Sequence, residues 1–194
     1  GGWQDQIAAA FGGLNRINFS KDGYEVMPVI ISPERKAQLN QNLMLFFTGF
    51  TRFSSDIQKA NAEKQNEKVT WLSQMYDLVG EAEKILTNKE ADLDEFGRLL
   101  HHTWQLKRKI GSAVSTDDID KLYSRGREAG AVGGKLLGAG GGGFLLFYVR
   151  PEHQQAVRKA MDGLLQIPFQ FENSGTQVVH YTPEEYIPKE QEMS

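Results

Sequence analysis

The chain has 194 residues, 40% hydrophobic and 24% charged, the balance of a globular domain long enough to bury a core rather than of a disordered chain. A net charge of −3 and a pI near 5.9 give no electrostatic reason to expect nucleic acid or an anionic membrane as partner. The absence of cysteine removes disulfides, thiol nucleophiles and thiolate metal sites, and fits a cytoplasmic protein.

In chain order, Gln4-Asp5-Gln6-Ile7-Ala8-Ala9-Ala10-Phe11 is helical in propensity and stops at Gly12-Gly13. Tyr24 to Ile31 and Leu43 to Phe47 are apolar, partly β-branched runs and read as strands. Between them Ser32-Pro33 pairs an N-cap with proline at the first helical position. Three helices are expected next. One starts near Ser54-Ser55-Asp56, and a second carries Val69, Leu72, Tyr76, Val79 and Leu86 as its apolar stripe. The third opens with the capping-box pattern Thr87-Asn88-Lys89-Glu90 and lines up Leu93, Phe96, Leu100 and Trp104.

A fourth helix follows the Ser115-Thr116-Asp117-Asp118 cap. Phe144 to Val149 reads as a buried strand, Pro151 as the start of a helix reaching about Leu165, and Phe169, Phe171, Val178 and Val179 as a closing hairpin around Asn173-Ser174-Gly175. The tail after Pro183 is charged and expected to fray. The longest uncharged run, Leu136 to Val149, is too short and too rich in glycine to span a bilayer. The pattern predicts the α+β class, a small antiparallel sheet with helices packed on one side.

Nine of the 20 glycines fall between Gly126 and Gly143. Gly138-Ala139-Gly140-Gly141-Gly142-Gly143 satisfies G-x-G-x-x-G, but a strand follows it where the dinucleotide fingerprint requires a helix. A Walker loop fails because Ala129 and Leu136 stand at its glycine and hydroxyl positions. The protein-kinase pattern fails for want of His-Arg-Asp and Asp-Phe-Gly. Two readings remain: a loop whose backbone approaches a ligand closely, or a tight turn. Four glycines in a row exceed what one turn needs, at a cost in ordering entropy. Asp5 likewise has two readings, a dipole-favoured residue in a first helical turn or a base flanked by amide side chains.

Gly2-Trp3-Gln4-Asp5-Gln6 with the following Ala8 to Asn15 run resembles the central segment of the GHMP small-molecule kinases, and Gly134-Lys135-Leu136-Leu137-Gly138-Ala139-Gly140-Gly141-Gly142-Gly143 resembles their C-terminal glycine motif. Leu43 to Gly49 and Phe96 to Trp104 are most similar to the branch that phosphorylates D-glycero-D-manno-heptose 7-phosphate. The resemblance covers essentially the whole chain. It implies a ferredoxin-like C-terminal domain over 33–194, preceded by the end of an N-terminal ATP-binding domain over 1–32. It also implies that half of the kinase lies upstream, with a Pro-x-x-x-Gly-Leu-Gly-Ser-Ser loop around the ATP phosphates. No such loop occurs in these 194 residues, so this portion is expected to be inactive without its N-terminal half.

By that resemblance the substrates are ATP with Mg2+ and a sugar phosphate, and Asp5 accepts or orients the proton of the attacking hydroxyl. Gly2, Gln4 and Gln6 flank it, and Gly138, Gly140, Gly141 and Gly142 present backbone N–H groups. Lys107 and Arg108, on the helix that carries His101, and Lys135 beside the glycines are candidates for phosphate. Two bland readings stand beside these: a solvated, dipole-favoured helix end for Lys107, Arg108 and Lys109, and a surface lysine for Lys135. No protein metal ligands are expected. His101 and His102 point about 100° apart on a helix, and magnesium would be held by nucleotide phosphates and water. The alternatives are another sugar such as L-fucose as acceptor, or a non-catalytic GHMP-like binding or regulatory protein.

Overall fold

The computed structural model describes residues 3–49, 65–111, 114–138 and 142–181. The alanine-rich helix α1 (Gln4–Phe11) closes where the Gly12 N–H donates to Ala8 O. A two-stranded antiparallel ribbon follows, β1 (Asn15–Ser20) on β2 (Gly23–Pro28), with Ser20 opposite Gly23. Helix α2 (Pro33–Gln41) starts as expected, Ser32 Oγ accepting the Arg35 N–H at 3.2 Å. Arg35 itself is buried, and its guanidinium donates to the carbonyls of Leu86, Ile85 and Ala91 at 2.8, 2.6 and 2.9 Å. It thereby caps the C-terminal end of α3 (Gln65–Thr87), where carbonyls lack helical partners and the helix dipole favours a cation.

The main sheet holds β3 (Leu43–Phe47), β4 (Gly133–Leu137), β5 (Phe144–Tyr148) and β6 (Leu165–Ile167) in the order β4-β5-β3-β6, antiparallel throughout. Helices α3, α4 (Asp94–Ile110) and α5 (Asp117–Glu128) lie between β3 and β4 in the chain, and α6 (Gln154–Ala160) lies between β5 and β6. This is the ferredoxin-like α+β arrangement. Strand alternation sorts the core into two faces. Met44, Phe46, Leu136, Leu145 and Phe147 pack with Ile119 and Tyr123 of α5, Val157 of α6, Met161 and Trp104. Leu43 and Tyr148, paired across β3 and β5, face the other way into Leu39, Leu86, Leu93 and Leu100. Each such fully buried side chain contributes about 1.5–3 kcal/mol.

The contact that positions the site is between two glycines. A Cβ on Gly133 would lie 1.7 Å from Gly97 O, so α4 rests backbone to backbone on the start of β4. From Gly97 to Lys107 the helix rises about 15 Å, and from Gly133 to Gly138 the strand advances about 17 Å. The two elements therefore run out together, and Lys107 arrives at the far end of β4.

Several expectations are corrected. Thr87 does not open a helix: it is the last residue of α3, its Oγ1 donating to Glu83 O, while Asn88 Oδ1 accepts the Glu90 N–H in a connecting turn. The next helix begins at Asp94, where Asp92 Oδ1 accepts the Asp94 N–H. On α3, Val69, Leu72, Tyr76 and Val79 are exposed, and the buried positions are Leu78 and Leu86. The helix after Pro151 is a 3-10 turn continued by α6 and ends at Ala160, because Leu165–Ile167 joins the sheet as its edge. Phe169 to Val179 forms no strand pair, and Val178 and Val179 lie in solvent. The expected helix at Ser54-Ser55-Asp56 and the tail after Pro183 lie outside the described residues.

Candidate functional site

The glycine motif connects the paired ends of β4 and β5, where Leu137 faces Phe144. Gly138 (φ 92°) and Gly143 (φ 115°) flank it, both in backbone conformations that side chains disfavour. Gly142 is half-exposed, and Gly140 and Gly141 lie outside the described residues. Both flanks are held by side chains from other elements. Thr48, buried just beyond β3, donates its Oγ1–H to Gly143 O at 2.9 Å and accepts the Gly143 N–H at 3.1 Å. Its own N–H also donates to Gly143 O at 2.9 Å. At the other flank the Lys107 ammonium donates to Gly138 O at 2.9 Å.

Lys135 stands three residues before Gly138 on β4. Its neighbour Leu136 is fully buried against α5 and α6, so alternation turns Lys135 to the opposite face of the sheet. Burial lowers the pKa of both lysines, and the Lys107 charge lowers that of Lys135 further. Among the described residues no acidic side chain forms an ion pair with either. Arg108, one position along α4, turns away and pairs with Asp120, whose other oxygen accepts from Ser115 Oγ at 2.6 Å. The structure therefore gathers Lys107 and Lys135 and commits Arg108 to the α4–α5 contact.

His101 supports this arrangement from beneath. Its Nδ1 lies 2.6 Å from Tyr123 Oη, its Nε2 lies 2.9 Å from Gln105 Nε2, and Tyr123 Oη donates to Gly134 O at 3.2 Å. With the tyrosine hydrogen spent on Gly134, Nδ1 carries the imidazole proton and Nε2 accepts. Burial, then Arg127 and His102, lower the His101 pKa, and burial pushes Tyr123 up to about 12. Both ring nitrogens are engaged, so His101 serves to hold α4, α5 and β4 together one residue from Lys135.

Asp5 lies on a different element. Gln4, Asp5 and Gln6 are exposed on the first turn of α1, and Gly2 lies outside the described residues. The helix is fastened to the C-terminal segment by Gly13 N–H to Glu172 O at 2.8 Å and Thr176 N–H to Ala10 O at 3.1 Å. Asp5 is not among the charges that act on Lys107 or Lys135. Thr48 and Tyr123 were not singled out from the sequence. Thr48 carried one signal, a polar residue closing an apolar strand directly before Gly49; Tyr123 carried none.

The α+β fold has counterparts among curated and solved kinases. Residues 82–165 match the family model for the C-terminal region of GHMP kinases. The chain is 34% identical over 170 residues to the D-glycero-alpha-D-manno-heptose 7-phosphate kinase of Campylobacter jejuni, covering 83% of this chain and 48% of the relative. The bifunctional fucokinase/GDP-fucose pyrophosphorylase of Arabidopsis thaliana is 29% identical over 77% of this chain and 15% of its own length. The crystal structure of a D-glycero-D-manno-heptose 1-phosphate kinase from Bacteroides thetaiotaomicron superposes with a TM-score of 0.62 at 27% identity, over 90% of this chain and 47% of that one. The chain thus spans about half the length of the heptose kinases it matches. No helix among the described residues is long and apolar enough to cross a membrane.

Proposed function

We propose that the chain is the C-terminal portion of a cytoplasmic sugar-phosphate kinase that phosphorylates the anomeric hydroxyl of D-glycero-D-manno-heptose 7-phosphate. The observation that carries this reading is the 34% identity to a heptose 7-phosphate kinase across most of the chain. Lysines 107 and 135 beside the glycine turn, suited to phosphorylated ligands, agree with it. In this reading residues 1–32 complete the nucleotide-binding domain and 33–194 form the C-terminal domain. ATP, with Mg2+, supplies the phosphoryl group.

Phosphoryl transfer asks a protein chiefly for positioning and charge stabilisation. Asp5, exposed at the start of α1, has open space for a substrate hydroxyl. It takes the hydroxyl proton as the sugar oxygen bonds to the γ-phosphorus and the bond to the departing ADP breaks. Gln4 and Gln6 flank the carboxylate and orient the acceptor. Gly143 and Gly138, held by Thr48 and Lys107, let their backbone approach the reacting groups where a side chain would intrude.

The test is ADP release by the intact kinase offered heptose 7-phosphate, L-fucose and galactose. The heptose phosphate is expected to be turned over fastest; the fucokinase likeness makes L-fucose the competing acceptor. Asp5→Asn is expected to lower kcat by about 10²–10⁴-fold with substrate still bound. Wild-type turnover by that variant removes Asp5 from the chemistry.

A further inference from the structure

We propose that Lys107 and Lys135, meeting where β4 enters the glycine turn, form a binding site for a terminal phosphate dianion, and that it takes the acceptor sugar's own phosphate. The second part rests on the kinase reading; the first does not.

The site is built from two elements that only the fold brings together. The α4 backbone lies on Gly133 and delivers the Lys107 ammonium to Gly138 O, 31 positions away in sequence. Lys135 leaves the same strand on the face opposite the Leu136 core. Two half-buried cations side by side repel each other and lose hydration. Elsewhere among the described residues Arg16, Arg98, Arg108, Lys121 and Arg150 each stand beside an acidic side chain, and the buried Arg35 spends its donors on three backbone carbonyls. No acidic partner meets Lys107 or Lys135 there.

Donor counting identifies the ligand. An ammonium has three N–H donors. Lys107 spends one on Gly138 O, and no hydrogen bond among the described residues uses those of Lys135. Five donors and two positive charges remain. A phosphomonoester dianion offers three terminal oxygens and two negative charges, and so matches the charge and satisfies the donors. A singly charged carboxylate would leave one cation unmatched. The pair stands where β4 gives way to Gly138, so a phosphate held there lies beside the first residue of the glycine motif.

Two sources of such a phosphate are separable. In the intact kinase, Lys135→Met removes a cation without breaking a hydrogen bond of the described structure. It is expected to raise KM for heptose 7-phosphate about 10- to 100-fold, the worth of a hydrogen bond to a charged group, with KM for ATP unchanged. Lys107→Met is expected to act in the same direction and to loosen Gly138 as well. A rise confined to KM for ATP assigns the pair to the nucleotide and overturns the acceptor site. Unchanged KM for both in Lys135→Met removes the site altogether. The 194-residue chain supplies a readout independent of activity: titration with inorganic phosphate is expected to shift the amide resonances of Lys135 and Gly138, less so in Lys135→Met. Failure of those shifts overturns the anion site, whereas shifts in a protein that phosphorylates none of the sugars leave the site standing and remove the kinase reading.

Discussion

Thr48 and Gly143 are 95 positions apart and are joined by three hydrogen bonds, two through the threonine hydroxyl and one from its backbone N–H. The hydroxyl serves the N–H and the carbonyl of a single residue, which fixes the orientation of that peptide as well as its position. Thr48→Val keeps the shape and the backbone bond but leaves the Gly143 N–H without its partner, at a cost of about 1–3 kcal/mol. Amide exchange at Gly143 is expected to accelerate markedly in the valine variant and to stay near wild type in Thr48→Ser. Equal exchange in valine and wild type would show that the hydroxyl does not hold the turn.

Gly133→Ala tests how the site is aligned. The new methyl would lie 1.7 Å from the Gly97 carbonyl oxygen and 3.1 Å from the His101 N, so α4 has to lift from β4. Overpacking against backbone has no rotamer escape and is expected to cost about 3 kcal/mol, read as a lower urea midpoint. Lifting α4 also draws Lys107 from Gly138, so the folded fraction is expected to bind inorganic phosphate more weakly. A neutral effect on both would mean that α4 and β4 are not in register through these glycines.

Local chemistry was readable from sequence, and non-local arrangement was not. Leu43–Phe47 matches its predicted strand end to end, and Ser32 and Thr116 cap α2 and α5 through their own side chains, because those signals sit within a few residues. β1 escaped notice because Arg16, Asn18 and Ser20 give it a polar face and its order comes from pairing with β2. The hairpin expected at Phe169–Val179 failed for the converse reason: apolar alternation there meets no partner strand, and the edge of the sheet is already taken by β6. In the site, Lys107 and Lys135 were each visible, but not their meeting, which depends on α4 lying along β4. Arg108 looked equivalent to Lys107 and differs only because α5 brings Asp120 to it.

Helix α3 converts one of those misreadings into a measurement. It carries two apolar stripes at helical spacing: Val69, Leu72, Tyr76 and Val79, which are exposed, and Trp71, Met75, Leu78, Ala82 and Leu86, which are half-buried or buried. Both satisfy the period, and only tertiary contact with α4 selects between them. Leu78→Ala is therefore expected to cost about 2–4 kcal/mol, and Leu72→Ala less than about 0.5 kcal/mol, both by urea denaturation. Comparable losses at the two positions would contradict the orientation of α3.

His101 predicts the acid side of the stability profile. In the folded chain, burial, Arg127 and His102 lower its pKa from the ordinary 6.5, while the unfolded chain protonates near that value. Between the folded pKa and 6.5 the unfolded state binds more protons, so stability rises with pH in this window and falls as pH drops through it. Glu34 and Glu172, whose carboxylates are lowered chiefly by backbone N–H bonds, titrate below 4.5 and do not contribute there. His101→Gln is expected to be less stable than wild type at pH 7.5, because the link to Tyr123 is lost. It is also expected to lose less on acidification from pH 7.5 to 5.5. Urea midpoints measured across that range decide the matter, and parallel profiles for the two proteins would show that His101 folds without resisting its proton.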